Sequence, residues 1–308
     1  MVQSPSRRLS LQGFTLIELS IVLVIIGFIV GGVLVGQDLV HAAGVRAQIT
    51  QIEKFNQAVN TFRSKYGYLP GDIPNPIAGQ FGFAARGLYA GEGDGNGIIE
   101  GITQNTSGDN YGTRMGEEAA AFWSDLSYAN GMNIGLIEGS YQSLPNAPSS
   151  NYAVTMMSSL MPVSKLGSGL FIHTYSYAGS NFYTLSAMDH TDWSSGVVSA
   201  AGLSVRDAYN IDKKMDDGLP QSGNVTAQLV CDGNGALNPV WAIGGWSASG
   251  VTCATANFVT SPAPYTTATQ GNTTSCFDNS NTTGATQQYS IEENNGAGTN
   301  CALSFKFQ

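Results

Sequence analysis

Residues 14–36 form an almost unbroken apolar run in which Glu18 is the one charge in 23 positions. Wound as a helix at 1.5 Å per residue, the run measures about 34 Å, enough to cross the hydrocarbon core of a bilayer. From Val45 the pattern changes. Val45, Ile49, Ile52, Phe55, Val59, Phe62 and Tyr66 recur at steps of three or four, with Arg46, Gln48, Glu53, Lys54 and Arg63 between them. That spacing predicts an amphipathic helix continuing from the apolar run and laying one stripe on a core. The glycines and prolines of Gly67, Pro70, Gly71 and Pro74 end it.

Beyond the helix the periodicity is weaker. A second helix is expected over 117–129, where Ala119, Phe122, Trp123 and Leu126 share a face. A third is expected to begin at Ser204, capped by an S-x-x-D box with Asp207, and to stop before Gly218-Leu219-Pro220. Strands are expected at 170–175, 182–187, 225–230 and 240–243. The order of elements predicts an α+β fold. Its long N-terminal helix has a membrane-spanning half and an amphipathic half, packed on an antiparallel-sheet head with extra helices and a disulfide-stapled tail.

Composition narrows this picture. Charged residues are 11% of the chain and the net charge is −9, so the head is a poor phosphate binder and no nucleic-acid partner is expected there. Residues 247–300 are rich in Ser, Thr, Asn, Gly and Ala, a composition that buries little apolar surface unless loops are closed covalently. All four cysteines, Cys231, Cys253, Cys276 and Cys301, lie in the last 78 residues with no C-x-x-C among them, which favours disulfides in an exported chain over zinc or redox chemistry. Three pairings are possible. The most local joins Cys231 to Cys253 and Cys276 to Cys301.

Glu18 is the odd residue of the apolar run, since a carboxylate so placed costs several kcal/mol unless it is compensated. Arg7 and Arg8 precede the run and no further basic residue follows until Arg46, which places the N-terminus in the cytoplasm and the remainder outside. A short basic leader, then Gly13-Phe14-Thr15-Leu16-Ile17-Glu18, resembles the prepilin cleavage and methylation motif of type IV pilins and type II secretion pseudopilins. The resemblance implies cleavage by prepilin peptidase between Gly13 and Phe14 and N-methylation of Phe14. It also implies pairing of Glu18 with the Phe14 amine of an adjacent subunit during assembly. An ordinary signal peptide cut near Ala42 or Ala43 fits less well, because its apolar core is shorter and carries no carboxylate.

The segment 65–72, Lys-Tyr-Gly-Tyr-Leu-Pro-Gly-Asp, also resembles a stretch of pseudopilin-like proteins. The chain departs from many family members in having no proline between Phe14 and Leu69; Gly27, Gly31, Gly32 and Gly36 occupy the span instead. Such glycines allow close helix approach or local melting. The expected organisation is a prepilin leader at 1–13, a transmembrane and polymerisation helix at 14–37, an amphipathic helix at 38–66, a globular head at 67–246 and the stapled tail at 247–308. The expected partners are prepilin peptidase, identical or related pilin subunits and an inner-membrane assembly platform. The expected location is the inner membrane by a single pass, with the head periplasmic, and then a periplasmic or extracellular filament.

For bound ligands the sharpest cluster is Gly91-Glu92-Gly93-Asp94-Gly95-Asn96-Gly97-Ile98-Ile99-Glu100. With Glu92 at position one of a calcium loop, Asp94, Asn96 and Glu100 fall at three, five and nine, but Thr103 stands where the bidentate glutamate is needed. Calcium is therefore a candidate cofactor, and a Gly-rich acidic turn is the alternative. Asp232-Gly233-Asn234-Gly235 reads as adjacent turns. No enzyme is expected, as there is no G-x-S-x-G, H-E-x-x-H or P-loop. His41 borders the membrane, His173 is expected packed in a strand, and His190 is expected in a polar loop. The chain reads as a structural filament subunit, with a pilin-anchored adhesin or calcium-dependent surface-binding protein as the alternative.

Overall fold

In a computed structural model, the described residues are 15–86, 93–101, 117–129, 132–133, 135–142, 152–167, 169–192, 196–233, 236–242, 275–278 and 286–307. The chain divides into two compact units, Met1–Gly44 and Val45–Gln308, and helix α1 (Leu16–Tyr66) runs through both. In the first unit α1 is uninterrupted across Gly27, Gly31, Gly32 and Gly36, so the melting that those glycines permit is not adopted. Its large apolar residues from Leu16 to Val40 are all at least half exposed. A surface of that kind is stable only against lipid or other apolar helices.

The second unit holds the core. The stripe read from the sequence is buried at Val45, Ile52, Phe55, Val59 and Phe62, with Ile49 and Tyr66 at its margin. It lies against a six-stranded sheet built around one long strand, β5 (Ser180–Asp192). The other five strands are β3 (Tyr152–Ala153), β4 (Leu170–Tyr177), β6 (Gly196–Ala200), β7 (Val225–Thr226) and β12 (Leu303–Lys306). The first half of β5 pairs antiparallel with β4 and β12, the second half with β3 and β6, and β7 adds to the far edge of β12. A bulge between Met188 and His190 separates the halves. Directly opposed residues share a face, so Ile172, Leu185 and Leu303 form one apolar row and Tyr183, Phe305 and Val225 the next. Tyr183 meets Phe55 of α1 at 6.0 Å between ring centroids, and Trp123 meets the same phenylalanine at 4.9 Å.

The opposite face carries buried polar groups. Tyr175 donates to Ser304 Oγ (2.9 Å), and Ser304 donates to the carbonyl of Gln228, the first residue of β8 (Gln228–Gly233). Strand β8 forms a hairpin with β9 (Ala236–Trp241), in register from Gln228–Trp241 to Gly233–Ala236. That register leaves Asn234-Gly235 as a two-residue connection, the sequence that a tight hairpin favours.

Helix α3 (Glu117–Leu126) ends three residues earlier than its pattern predicts. Tyr128–Ala129 instead forms a strand, β1, paired with β2 (Met132–Asn133), and the intervening Asn130-Gly131 is a hairpin signal that the helical face of 119–126 obscured. Helix α5 (Val205–Met215) begins as predicted, with Ser204 Oγ accepting from Asp207 N–H. The expected strand 225–230 is two strands in different sheets, because Ala227 turns its N–H to Pro220 O and its C=O to Ala242. In the tail, Cys276 and Cys301 form a disulfide, buried beside the small sheet of β10 (Phe277–Asp278) and β11 (Gln288–Tyr289). Cys253 and the side chain of Cys231 lie outside the described residues.

Candidate functional site

Gly13 and Phe14, the expected processing residues, lie outside the described residues, which start at Thr15. Thr15 is the residue before α1, and Glu18 is the third residue of the helix. Glu18 Oε2 accepts from both the backbone N–H and the hydroxyl of Thr15, each at 2.8 Å, while the Glu18 N–H donates back to Thr15 Oγ1 at 3.3 Å. This is a reciprocal capping box. The carboxylate is thus compensated within its own chain, by a threonine whose Thr-x-x-Glu spacing is itself a sequence signal of a helix start.

A second arrangement sits in the head, at the glycine-rich turn. Asp72 Oδ1 and Oδ2 accept from Gly95 N–H and Gly97 N–H, both at 2.8 Å. Glu118, in the first turn of α3, accepts from Gly93 N–H (2.7 Å) through Oε1 and from Glu100 N–H (2.9 Å) through Oε2. Each carboxylate therefore straddles two donors of one turn. Gly93 and Gly95 have φ of +63° and +79°, and a Cβ on Gly93 would stand 2.7 Å from Ile73 O, so these positions require glycine. Asp94 completes a group in which one carboxylate oxygen each from Asp72, Asp94 and Glu118 lies within 4.8 Å of the others.

Burial drives the Asp72 pKa upward against its N–H donors. Burial and the nearby Asp72 push Glu118 well above the usual carboxylate range. Three carboxylates at this spacing are the set that could hold a hard, oxygen-seeking cation. Of the three described residues that the sequence pattern named, Asp94 is in it and Asn96 and Glu100 are not. Asn96 uses its amide on the turn itself, accepting from Ile98 N–H and donating to Asp94 Oδ2. Glu100 is buried and contributes its backbone, and Glu92 lies outside the described residues. Asp72 and Glu118 come from 22 residues before and 24 residues after Asp94, so no local motif could have joined them.

The turn is fastened to the core by a buried ion pair. Arg86 donates to both oxygens of Asp125 at 2.9 Å, and both side chains are almost wholly buried. Asp125 also accepts from Gly71 N–H and Arg86 donates to Gly71 O, so the peptide groups on both sides of one glycine are held. A Cβ on Gly71 would lie 2.3 Å from Glu118 O. Close backbone contact thus sets Asp72 beside Glu118.

Two of the three histidines lie in the sheet. His173 is buried in β4 with neither ring nitrogen hydrogen-bonded, and burial lowers its pKa to about 3, leaving a neutral imidazole at physiological pH. His190 was expected in a loop but lies in β5, opposite Ala153 and Val198, because the strand runs past the bulge to Asp192.

Residues 10–34 match the family described as the prokaryotic N-terminal methylation motif. The chain therefore carries the type IV pilin and pseudopilin signature, and it carries it on the exposed apolar part of α1. That signature and that helix fit membrane anchoring of a structural, pilin-type subunit. No curated protein and no solved structure matches the chain.

Proposed function

We propose that this chain is a structural subunit of a type IV pilus-like or type II secretion pseudopilus filament. Prepilin peptidase cleaves it after Gly13 and methylates Phe14, and it assembles through α1 with identical or related subunits on an inner-membrane platform. Before assembly it spans the inner membrane once, N-terminus in the cytoplasm and head in the periplasm. The observation that carries this reading is the methylation motif on a helix whose apolar residues are left bare from Leu16 to Val40. In the lone subunit Glu18 closes its own helix through Thr15; in the filament it exchanges that contact for the neighbour's Phe14 amine. Glu18→Ala tests this. The variant is expected to insert in the membrane and be processed, yet to be missing from sheared filaments. Wild-type incorporation would sink the pairing mechanism.

The convergence of Asp72, Asp94 and Glu118 favours a second reading, a head that binds calcium and presents a recognition surface. Calcium titrated into chelator-treated protein is expected to raise the melting temperature of wild type but not of Glu118→Gln. An equal response from both removes this reading.

A further inference from the structure

On the sheet face turned towards β8, one row of residues crosses four strands. His173 of β4 stands opposite Thr184 of β5, Thr184 opposite Ser304 of β12, and Ser304 opposite Thr226 of β7. His173, Thr184 and Ser304 are at most 2% exposed. The hydroxyls in reach are spent on one another. Ser304 donates its one hydrogen to Gln228 O (3.1 Å), so it accepts from Tyr175 (2.9 Å) and Thr184 (3.0 Å). Neither nitrogen of His173 joins this network, and Ser186 Oγ, one pair further along the same face, also stands unpartnered. Tyr175 and Tyr177 are the other titratable groups that β4 turns to this face, with the Tyr175 ring 6.4 Å from the imidazole. Among the described side chains of β4, β5, β6, β7, β8 and β12 the one charged group is Lys306, a cation.

A protonated imidazole in this row would have neither an anion nor an acceptor aimed at it, and burying such a cation is far costlier than burying the neutral ring. We propose that His173 makes the head acid-labile: the ring takes up a proton only when the row joining β4, β5 and β12 has parted, so acid drives the head open along it. The histidine fills no structural role that a phenyl ring would not, since it makes no hydrogen bond and its neighbours on the same face of β4, Phe171 and Tyr175, are aromatic. Below the ordinary histidine value of 6.5, the opened state binds a proton that the closed state refuses, down to about pH 3, where burial has placed the pKa of the ring. The penalty is therefore nearly absent at neutral pH, grows as pH falls, and levels off only near the folded value. Asp212, whose proton the folded head holds longer, works in the opposite sense over part of this range. The wild type shows the sum of the two, and the share of His173 emerges against a variant that lacks it. The proposal stands independently of the filament and calcium readings.

The test is urea unfolding of the full chain in detergent micelles, followed by tryptophan fluorescence, for wild type and His173→Phe at about pH 7 and about pH 5. From the higher to the lower pH, the folding equilibrium constant of wild type divided by that of the variant is expected to fall about 25-fold. All other titrations are common to both proteins and cancel in the ratio. A ratio that does not change with pH would overturn the proposal. NMR of the histidine-labelled wild type requires no variant. The His173 ring signals of the folded protein are expected to keep their neutral position at about pH 5, and a ring that titrates near 6.5 while the head stays folded would equally overturn it. If the phenyl ring does not fit its site, His173→Gln replaces it in the unfolding measurement with the same two outcomes.

Discussion

The two halves of α1 obey different rules. Up to Gly44 its side chains are exposed whatever their polarity, and the information lies in the order of residues: a glycine, an aromatic, a carboxylate and then an apolar run. From Val45 the same helix buries one stripe in the core of the head, where Phe55 meets Trp123 of α3 and Tyr183 of β5, and its information lies in which distant residues it meets. A function written in a linear motif survives loss of the tertiary fold. One built by convergence does not. Substitutions in the two regions should therefore fail in different ways, and that contrast can be pressed at several points.

The largest effect on stability is expected where convergence is tightest. Arg86→Ala leaves Asp125 buried and without its bidentate partner, a change that costs about 3–5 kcal/mol. Denaturant melts should show the loss while processing at Gly13 continues. A smaller, pH-dependent effect is expected at Asp212, which is buried, accepts from Tyr289 Oη (2.8 Å) and Gly218 N–H (3.1 Å), and stands near Asp216 and Asp217. Burial is the chief cause of its pKa being raised to about 7. Since the folded state holds this proton longer than the unfolded one, the stabilisation is complete at low pH and is lost as pH rises from about 4 to about 7, by at most about 4 kcal/mol. In Asp212→Asn the melting temperature should vary less over that window; an unchanged slope would remove the assignment. The smallest effect is expected at Thr15→Ala, which removes the cap of α1 for about 1 kcal/mol. Head melting should not move, and helix fraying at residues 15–18, read by hydrogen exchange in micelles, should increase.

The same contrast explains what the sequence revealed. The stripe of α1, the Ser204–Asp207 cap and the centres of β4 and β5 were legible because each depends on neighbours within one or two turns or on simple alternation. The strand β5 was underestimated because polar residues 189–192 look like a loop, although their backbone pairs on both sides with β3 and β6. The break at Ala227 depends on Pro220 and Ala242, and the carboxylate group depends on Gly71 touching α3; neither leaves a local trace. At Glu18 a local trace existed, Thr15 three residues earlier, and it changes the account: the carboxylate begins as a cap and is not an isolated buried charge.

The central claim is that the apolar half of α1 is a processed assembly helix, and the mass of the mature N-terminal peptide tests it most directly. Protein extracted from membranes should yield a peptide beginning at Phe14 with one added methyl group. A chain that still begins at Met1, or one that begins near Ala43 with the whole apolar run removed, would contradict it.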